Sequence, residues 1–246
     1  MSGELRFDGC KILVVGGSSG IGNEVATAFR DRGAEVCITG TRRAPESYSG
    51  EDAVFEGMHY RQLDAADAAA VAAFNLPFEG LSVLVNSQGL AQTRRSPGEI
   101  DLSEFRRDID VNLISVVQLC ARFRAMLVAS RGAVVTIGSA ACFVAAPSRL
   151  GYSAAKGGLV TLTKSLASGW AKDGVRVNGV APGYVTTRMT AGSRADEAYY
   201  GATLDRIPMR RWGGASEIAG VVLFLASPLA SYVTGEIITA DGGLTL

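Results

Sequence analysis

Residues 11–22 read KILVVGGSSGIG, and this stretch decides the fold class. Residues 12–15 are all apolar, which is typical of a strand covered on both faces of a sheet. Glycines at 16, 20 and 22 come directly afterwards, and a helical pattern begins at Gly20. Such glycines permit a tight turn, let the backbone approach a pyrophosphate and allow the helix to pack closely on the strand. The segment therefore predicts a strand–loop–helix cradle for a dinucleotide. The residues assigned to this cradle are Gly16, Ser18, Ser19, Gly20, Ile21 and Gly22.

The rest of the chain repeats this alternation of short β-branched runs with longer helical patterns. The repetition predicts right-handed crossovers and an α/β fold, a Rossmann-like doubly wound parallel sheet of about seven strands. We find no linker rich in proline, serine or charge, so residues 1–246 are predicted to form a single domain. The predicted strands are Lys11–Gly16, Glu35–Thr39, His59–Leu63, Leu81–Asn86, Ala133–Gly138, Val175–Val180 and Glu236–Thr239. The predicted helices are Gly20–Gly33, Ala66–Phe74, Leu102–Ser130, Tyr152–Lys172 and Ser216–Leu225.

The segment Thr186–Gly214 departs from this regular pattern. It is polar, rich in arginine and alanine, and carries Tyr199, Tyr200 and Trp212. Long irregular segments in compact domains are usually functional or mobile. We predict a lid or substrate loop at residues 186–214, with a plain surface excursion as the alternative.

The charge balance argues against two classes of partner. The 24 basic residues (Lys and Arg) equal the 24 acidic residues (Asp and Glu), so the formal net charge is zero. Neither nucleic acid nor an anionic membrane surface is expected to bind such a chain. No run approaches the ~20 apolar residues that span a bilayer. We expect a soluble, cytoplasmic protein.

The cysteines and the histidine give no sign of a metal site. The four cysteines are scattered without a Cys-x-x-Cys pair. Cys10, Cys37 and Cys120 lie in or beside apolar runs and are predicted to be small buried hydrophobic residues. His59, the single histidine, has no ligand partners nearby in sequence. We expect no catalytic metal.

The end of the second predicted strand bears on the choice of nicotinamide. NAD-binding folds typically place an acidic side chain there, whereas NADP sites place arginine near the 2′-phosphate. Here Gly40 is followed by Thr41, Arg42 and Arg43, with no acidic residue. A hydroxyl and a guanidinium can bind a phosphate. We therefore predict NADP(H), held by Thr41 and Arg42, while NAD and a merely solvated turn stay open.

A Tyr-x-x-x-Lys pair, Tyr152 and Lys156, lies at the start of a predicted helix. Residues at i and i+4 share one face of a helix, so the phenol and the ammonium point the same way. A phenol with a pKa near ~10 is a poor base at neutral pH, and a neighbouring cation favours the phenolate. Ser139 follows the fifth predicted strand, at the sheet edge where doubly wound folds bind their ligands. These residues predict acid–base chemistry on an oxygen that the serine hydroxyl also contacts.

Asn112 lies inside an otherwise apolar helical pattern. Asparagine is a mediocre helix former, so its presence there calls for a reason. A functional role and a buried amide that ties the helix to a strand both stay open.

In this order and spacing, the motifs resemble those of the short-chain dehydrogenase/reductase family over essentially the whole chain. The segment RVNGVAPGYVT, residues 176–186, matches as well. The resemblance implies a nicotinamide-dependent oxidoreductase in which Tyr152 is the acid/base and Ser139 orients the substrate. Lys156 would lower the pKa of the tyrosine and bind the nicotinamide ribose, and Asn112 would hold a water in a proton relay. The cofactor contacts that it implies are Asp64, Asn86, Gly89, Tyr152, Lys156, Pro182, Gly183, Val185 and Thr186. For Asp64, helix capping is a sufficient alternative.

The chain departs from the family's pattern at two motifs. Val15 stands where the family's glycine motif usually begins with threonine. The family's Asn-Asn-Ala-Gly appears as Asn86-Ser87-Gln88-Gly89, so Gln88 adds a polar group near the nicotinamide or the substrate. The crossover after residue 65 is also short, and Pro77 interrupts it.

The substrate expected from this sequence is a ketone or secondary alcohol, and an apolar wall at 140–147 favours a hydrophobic one. A 3-oxoacyl thioester and an NAD-dependent alcohol dehydrogenase are the alternatives within the family. A regulatory dinucleotide sensor and a lyase or epimerase are rivals from other classes. The resemblance implies a homotetramer. The residues assigned to the substrate pocket are Gln88, Ala140, Ala141, Cys142, Tyr184 and Met189.

Overall fold

Strand β1 (Lys11–Val15) lies inside a seven-stranded sheet in which every pair of neighbours is parallel. The computed structural model describes residues 5–48, 53–91, 96 and 99–246. The sheet order is β3-β2-β1-β4-β5-β6-β9, which confirms the predicted doubly wound α/β fold. The remaining strands are β2 (Glu35–Gly40), β3 (His59–Gln62), β4 (Val83–Asn86), β5 (Ala133–Ile137), β6 (Arg176–Pro182), β7 (Val185–Thr186), β8 (Gly213–Gly214) and β9 (Ile237–Ala240).

Helices cover both faces of the sheet. They are α1 (Gly20–Arg30), α2 (Ala68–Ala73), α3 (Leu102–Ile109), α4 (Ser115–Ser130), α5 (Leu150–Trp170), α6 (Ala191–Ala195), α7 (Glu197–Arg206) and α8 (Ala215–Ala226). Every strand and helix predicted from the sequence is present, with its ends shifted by a few residues. The residues 102–130 are helical throughout, but a π-helical turn at Asp110–Ile114 joins α3 to α4.

The alternation of side chains along β1 builds two cores at once. Ile12 and Val14 pack with α1 and α8 on one face. Leu13 and Val15 pack with α4 and α5 on the other. All four side chains are fully buried, and burying a side chain of this size contributes about 1.5–3 kcal/mol. β1 is thereby fixed in depth and register, and with it the loop that follows.

The crossover between β3 and β4 is short, as predicted, since α2 spans six residues. Its N-cap is Asp67, whose carboxylate accepts hydrogen bonds from the backbone N–H groups of Ala69 and Ala70. Asp64 bonds instead to the N–H of Ala66 at 3.0 Å, so the capping alternative for Asp64 is wrong.

The segment Thr186–Gly214 is not irregular, which corrects the prediction from its composition. It contains α6 and α7, and its two ends pair as the strands β7 and β8. The Asp196 carboxylate caps α7 by accepting from the N–H of Tyr199 at 2.9 Å. Alanine and arginine, in which the segment is rich, are good helix formers.

The helical stretch Leu102–Ser130 is long and apolar enough, by length and composition alone, to cross a membrane. Core helices of soluble proteins pass the same test. Here Leu119, Phe123 and Leu127 are buried in the core beneath the sheet. The apolar face of α4 is therefore used within the fold.

Candidate active site

A cavity of about 750 Å³ opens along the carboxyl edge of the sheet. Helices after β1 and β4 leave on opposite faces there, which is the point at which doubly wound folds bind their ligands. The residues that follow five strands line it, namely Gly16 after β1, Thr41 after β2, Ser87 after β4, Ser139 after β5 and Gly183 after β6.

Close contacts in the loop between β1 and α1 leave no room for a side chain at Gly16 or at Gly22, where α1 begins. Gly16 has a φ of +75°, and a Cβ on it would lie 2.7 Å from the backbone of Gln88. A Cβ on Gly22 would lie 2.3 Å from the carbonyl oxygen of Gly16. A hydroxyl from β2, Thr39 Oγ1, accepts from the N–H of Gly16 at 3.2 Å and supports the turn beside Val15.

The N-terminus of α1 faces this cavity. Its N-cap, Ser19, makes no side-chain capping bond, and Ser18, Ser19, Gly20, Ile21 and Gly22 all line the cavity. Uncapped N–H groups and the positive end of the helix dipole favour a phosphate. The cradle predicted from the glycine spacing therefore fits the pyrophosphate of a dinucleotide.

The loop after β2 brings a cation to the same cavity. The guanidinium of Arg42 lies 4.5 Å from the ring centre of Tyr48, and the Tyr48 hydroxyl accepts from the N–H of Arg42 at 3.1 Å. Thr41, Arg42 and Tyr48 line the cavity, and Tyr48 is 4 % exposed. Sequence reasoning missed Tyr48, because it lies in a short turn six residues after Arg42 with no motif around it.

Ser139 and Tyr152 both line the cavity, and their side chains are hydrogen-bonded to each other. Ser139 begins a 3₁₀ turn after β5, and its hydroxyl accepts from the N–H of Ala141 at 3.1 Å. Burial raises the pKa of the Tyr152 phenol, whereas the hydrogen bond with Ser139 and the charge of Arg149 act to lower it. The phenol is therefore protonated at neutral pH.

Lys156 lies one helical turn after Tyr152 and is 4 % exposed. Its Nζ lies 5.7 Å from the centre of the Tyr152 ring and donates to the carbonyl oxygen of Ile137 at 2.8 Å. Burial lowers the pKa of Lys156 from 10.5 to about 8. Burial is the largest influence on the pKa of the Tyr152 phenol, and the lowering of that pKa by Lys156 stays a prediction.

Asn112 lies in the π-helical turn and is 1 % exposed. Its Nδ2 donates to the carbonyls of Leu90 at 2.8 Å and of Asp108 at 2.9 Å. Its Oδ1 accepts from the N–H of Leu90 at 3.2 Å. The buried amide thus links the helix to the loop after β4. This agrees with the interpretation of Asn112 as a structural amide.

The residues assigned to the substrate pocket divide in two groups. Gln88, Ala140, Ala141, Tyr184 and Met189 line the cavity. Cys142 is absent from the lining, because the 3₁₀ turn directs its Sγ to the carbonyl oxygen of Lys156, at 3.0 Å.

An aromatic cluster lines the cavity beside the segment Thr186–Gly214. The ring of Tyr184 stacks on Trp212 at 5.0 Å, and the hydroxyls of Tyr184 and Tyr199 are 3.0 Å apart. Trp212 Nε1 donates to Thr203 Oγ1 on α7 at 2.8 Å. The cluster joins α7 to the β7–β8 pair.

Most of the predicted cofactor residues line the cavity, and two do not. Gly89, Pro182, Gly183 and Val185 join those named above, together with Asp64. Asn86 is 1 % exposed and buried behind the edge of the sheet, with its Nδ2 3.8 Å from Cys120 Sγ. Thr186 is exposed and outside the lining.

Thr187 is the residue that lines the cavity beside Val185. Side chains alternate along the extended strand β7, so Val185 and Thr187 face inward while Thr186 faces out. A Cβ on Gly20 would lie 3.5 Å from the Thr187 side chain. The motif match assigned Thr186 to the cavity. The alternation of side chains, counted from the buried Val185, would instead have assigned Thr187.

The remaining expectations concern thiols and metals. Cys37 and Cys120 are buried, as predicted, and Cys10 is partly buried. His59 Nε2 lies 3.3 Å from Glu35 Oε1 at the surface. Within the described ranges, no group of three or more His, Cys, Asp or Glu side chains is placed to hold a metal ion.

The glycine cradle, the phosphate-facing helix and the acid–base pair define an NAD(P)-dependent oxidoreductase. A family model described as enoyl-(acyl carrier protein) reductase matches residues 15–245. The chain belongs to the short-chain dehydrogenase/reductase family.

Relatives of known activity cover nearly the whole chain. It is 38 % identical over 247 residues to galactitol 2-dehydrogenase (L-tagatose-forming) of Cereibacter sphaeroides, covering 98 % of this chain and 97 % of the relative. It is 36 % identical to the 3-oxoacyl-(acyl-carrier-protein) reductase of Escherichia coli (strain K12), covering 98 % and 99 %.

A solved structure is also similar over its full length. It is a putative 2-deoxy-D-gluconate 3-dehydrogenase from Agrobacterium tumefaciens with bound NADP. The TM-score is 0.88 at 35 % identity, and the match covers 98 % of each chain.

Proposed function

We propose that this chain interconverts a ketone and a secondary alcohol with NADP(H), using Tyr152 as the proton donor and acceptor. The observation that carries the proposal is the shared cavity, in which Ser139, Tyr152 and Lys156 lie beside the glycine cradle. The bound nicotinamide supplies or accepts the hydride. The protein's own residues bind, orient and move the proton.

In the reduction direction, Tyr152 donates its phenolic proton to the carbonyl oxygen of the substrate. Its raised pKa keeps it protonated for that task at neutral pH. The Ser139 hydroxyl donates to the same oxygen and stabilises the negative charge that develops on it. Lys156 stabilises the phenolate that forms, and Asn112 holds a water in a proton relay through Lys156.

The preference for NADP(H) rests on the loop after β2. Arg42 has its backbone N–H and its guanidinium both held against Tyr48, so the cation is oriented before a ligand arrives. Thr41 supplies a hydroxyl beside it at the cavity. An oriented guanidinium with a neighbouring hydroxyl suits the 2′-phosphate of NADP. The NADP bound in the Agrobacterium relative is consistent with this choice.

The Arg42→Gln variant tests the cofactor preference. We expect it to raise the KM for NADPH by about 10- to 100-fold, since a charge-assisted contact with phosphate is lost, and to leave the KM for NADH unchanged. The matched control is Arg43→Gln, because Arg43 is exposed and outside the cavity lining. An equal effect of Arg42→Gln on both cofactors would contradict the assignment.

The substrate we propose is a ketone with an apolar flank. Ala140, Val144, Ala145, Ala146 and Pro147 form an apolar wall beside Ser139, and apolar walls bind apolar groups by excluding water. The 3-oxoacyl thioester alternative shares this wall and has support from the relative in Escherichia coli.

A polyhydroxylated ketone is a second candidate, favoured by the polar residues of the lining. Tyr184, Tyr199, Arg149 and Arg206 line the same cavity. Hydroxyl and guanidinium groups suit a sugar alcohol or a sugar acid, and the relative from Cereibacter sphaeroides acts on galactitol. Residues 186–214 would close over either kind of substrate.

A panel of ketones assayed with NADPH and with NADH separates these candidates. It comprises ethyl 3-oxobutanoate, an N-acetylcysteamine thioester of 3-oxobutanoate, L-tagatose, and the matched pair 5-keto-D-gluconate and L-sorbose. The proposed function requires net oxidation of the cofactor with at least one ketone. Turnover without a net change in cofactor absorbance would indicate a lyase or an epimerase.

We also propose a cytoplasmic homotetramer without nucleic-acid or membrane partners. Ile114 at the end of the π-helical turn, Val117 on α4, and Tyr232 and Leu246 near the last strand are exposed apolar side chains that a subunit interface would cover. Light scattering of the purified protein measures the mass directly, and a monomeric mass would overturn the assembly.

A further inference from the structure

The π-helical turn between α3 and α4 displaces one backbone hydrogen bond. The N–H of Ser115 bonds to the carbonyl of Asp110, five residues earlier, instead of to Val111, four residues earlier. Ser115 is fully buried, and its own hydroxyl donates to the Val111 carbonyl oxygen at 2.6 Å. The side chain of Ser115 therefore makes the bond that its backbone gave up.

The loop after β4 completes this arrangement. Gln88 Nε2 donates to Ser115 Oγ at 2.9 Å. Because the single hydroxyl hydrogen of Ser115 goes to Val111, Ser115 must accept from Gln88, and this fixes which way the Gln88 amide faces. Gln88 is 9 % exposed, so the bond is shielded from water. The chain from Gln88 through Ser115 to Val111 is continuous.

A second set of hydrogen bonds joins the same loop and helix, but here the amide side chain is on the helix and its partner is on the loop. Asn112 on the helix bonds to both backbone groups of Leu90, while Gln88 on the loop bonds to Ser115 on the helix. Residues 112 and 115 share one helix face, and residues 88 and 90 alternate onto one side of an extended segment. The two amides form a reciprocal clamp between the loop and the turn.

The clamp also touches the cofactor cradle. A Cβ on Gly16 would lie 2.7 Å from the Gln88 backbone, so Gly16 and Gln88 are in close contact. An alanine, which the family's pattern has at position 88, ends at Cβ and cannot make the bond to Ser115. The departure at Gln88 thus adds a connection between the glycine loop and the turn that holds Asn112.

We propose that Gln88 and Ser115 are positioning residues that hold the π-helical turn, and through it Asn112, in the geometry of the proton relay. This rests on the proposed function, in which Asn112 supports the relay to Lys156. The rival role, contact of Gln88 with substrate, would have to use the Gln88 Oε1, which is buried without a hydrogen-bond partner, because the amide nitrogen already donates to Ser115.

The first experiment tests the clamp by hydrogen exchange, which does not depend on catalytic activity. Gln88→Met removes the donor and keeps the length of the side chain, and Gln88→Glu keeps the size but cannot donate when ionised. We expect both to speed hydrogen exchange at the Leu90 amide, which Asn112 holds, by about tenfold, the effect of one lost hydrogen bond. The control is Gln118→Met on α4, whose Oε1 is also buried but makes no bond to the clamp. Unchanged exchange at Leu90 in both Gln88 variants would overturn the proposal.

The second experiment tests the proton relay by the pH dependence of kcat. The kcat of alcohol oxidation is followed against pH for wild type, Gln88→Met, Ser115→Ala and the double variant, with Asn112→Ala as the reference. The probe is the alcohol of whichever ketone in the panel has the highest kcat/KM. We expect each single variant to lower kcat by about tenfold and to move the apparent pKa as Asn112→Ala does. The double variant should be no worse than either single one, because both break one chain.

Distinct outcomes would overturn the proposal. A raised KM with an unmoved pH profile would make Gln88 a substrate contact instead. A lower melting temperature with an unchanged kcat per folded molecule would make the clamp merely structural. If Asn112→Ala leaves the profile unmoved while Tyr152→Phe abolishes turnover, the relay and the clamp both fail and the proposed oxidoreductase stands.

Discussion

The two halves of the sheet contribute to the site in different ways. The half built on β1, β2 and β3 offers mainly backbone, with positions 16 and 22 too crowded to accept a Cβ and an uncapped helix end. The half built on β4, β5 and β6 offers side chains, with Ser139, Tyr152 and Lys156 held at its edge. Changes in the glycine loop of the first half should therefore act through space and shape, whereas changes at Arg42 and in the second half should act through the loss of particular functional groups.

The sharpest way to break this contrast is Tyr152→Phe. Removing one hydroxyl from the second half should lower kcat by about 10²- to 10⁴-fold, the usual contribution of a positioned acid or base. The dissociation constant for NADPH should stay within about twofold, because the cradle lies in the first half. Steady-state rates and fluorescence titration of the nucleotide measure the two quantities. Substantial turnover by this variant would remove Tyr152 from its assigned role.

Gly22→Ala tests the first half. The new Cβ would lie 2.3 Å from the Gly16 carbonyl oxygen, so the backbone of the cradle must shift. We expect the dissociation constant for NADPH to rise by about 10- to 100-fold, since small displacements in a binding site are costly. The control is Gly157→Ala in α5, where a Cβ meets nothing within 4 Å. That change should leave binding intact and stabilise the helix by about 0.5–1 kcal/mol. Tight binding by Gly22→Ala would contradict the assignment of the cradle.

Lys156→Met is expected to have a small effect on the free energy of unfolding, and it sharpens the contrast because it separates function from stability. Burial lowers the pKa of Lys156 from 10.5 to about 8. Below pH 8 the folded and the unfolded chain both carry the charge, so the folded protein bears the full cost of burying it. Between pH 8 and 10.5 the folded protein loses the proton first, and this cost falls as the pH rises.

The variant should therefore be inactive yet more stable than wild type, by about 1–3 kcal/mol at pH 7 and by less at about pH 9.5. Chemical denaturation at the two pH values measures the difference. The exposed Lys164 on the same helix provides the control as Lys164→Met, which should change neither value appreciably. A gain that is equal at both pH values would argue against a buried, charged Lys156.

The fold and the centre of the site could be predicted because their requirements are local in sequence. Gly16, Gly20 and Gly22 lie within a stretch of twelve residues, and Tyr152 and Lys156 are one helical turn apart. The pocket contacts of Tyr48 and Thr187 could not be predicted in this way. Tyr48 reaches Arg42 through a turn whose path depends on tertiary packing, and Thr187 was hidden by a motif match one residue out of register.

Predictions of electrostatics and of segment type were weaker for a different reason. The pKa of Tyr152 depends on burial, which no spacing of residues reports. The helices α6 and α7 are short, and their polar sequence lacks the strong periodicity that marks α4 or α5. Their formation depends on contacts such as that of Trp212 with Thr203.

The strand order has a consequence during synthesis on the ribosome. β1 lies between β2 and β4, but the chain reaches β4 only at residue 83. One edge of β1, with its row of unpaired N–H and C=O groups, stays open until then, and the open edge of β6 waits in turn for residues 237–240. A nascent chain therefore exposes unpaired strand edges for most of its translation. The order of the strands determines how long a chaperone would have to cover these edges to prevent aggregation.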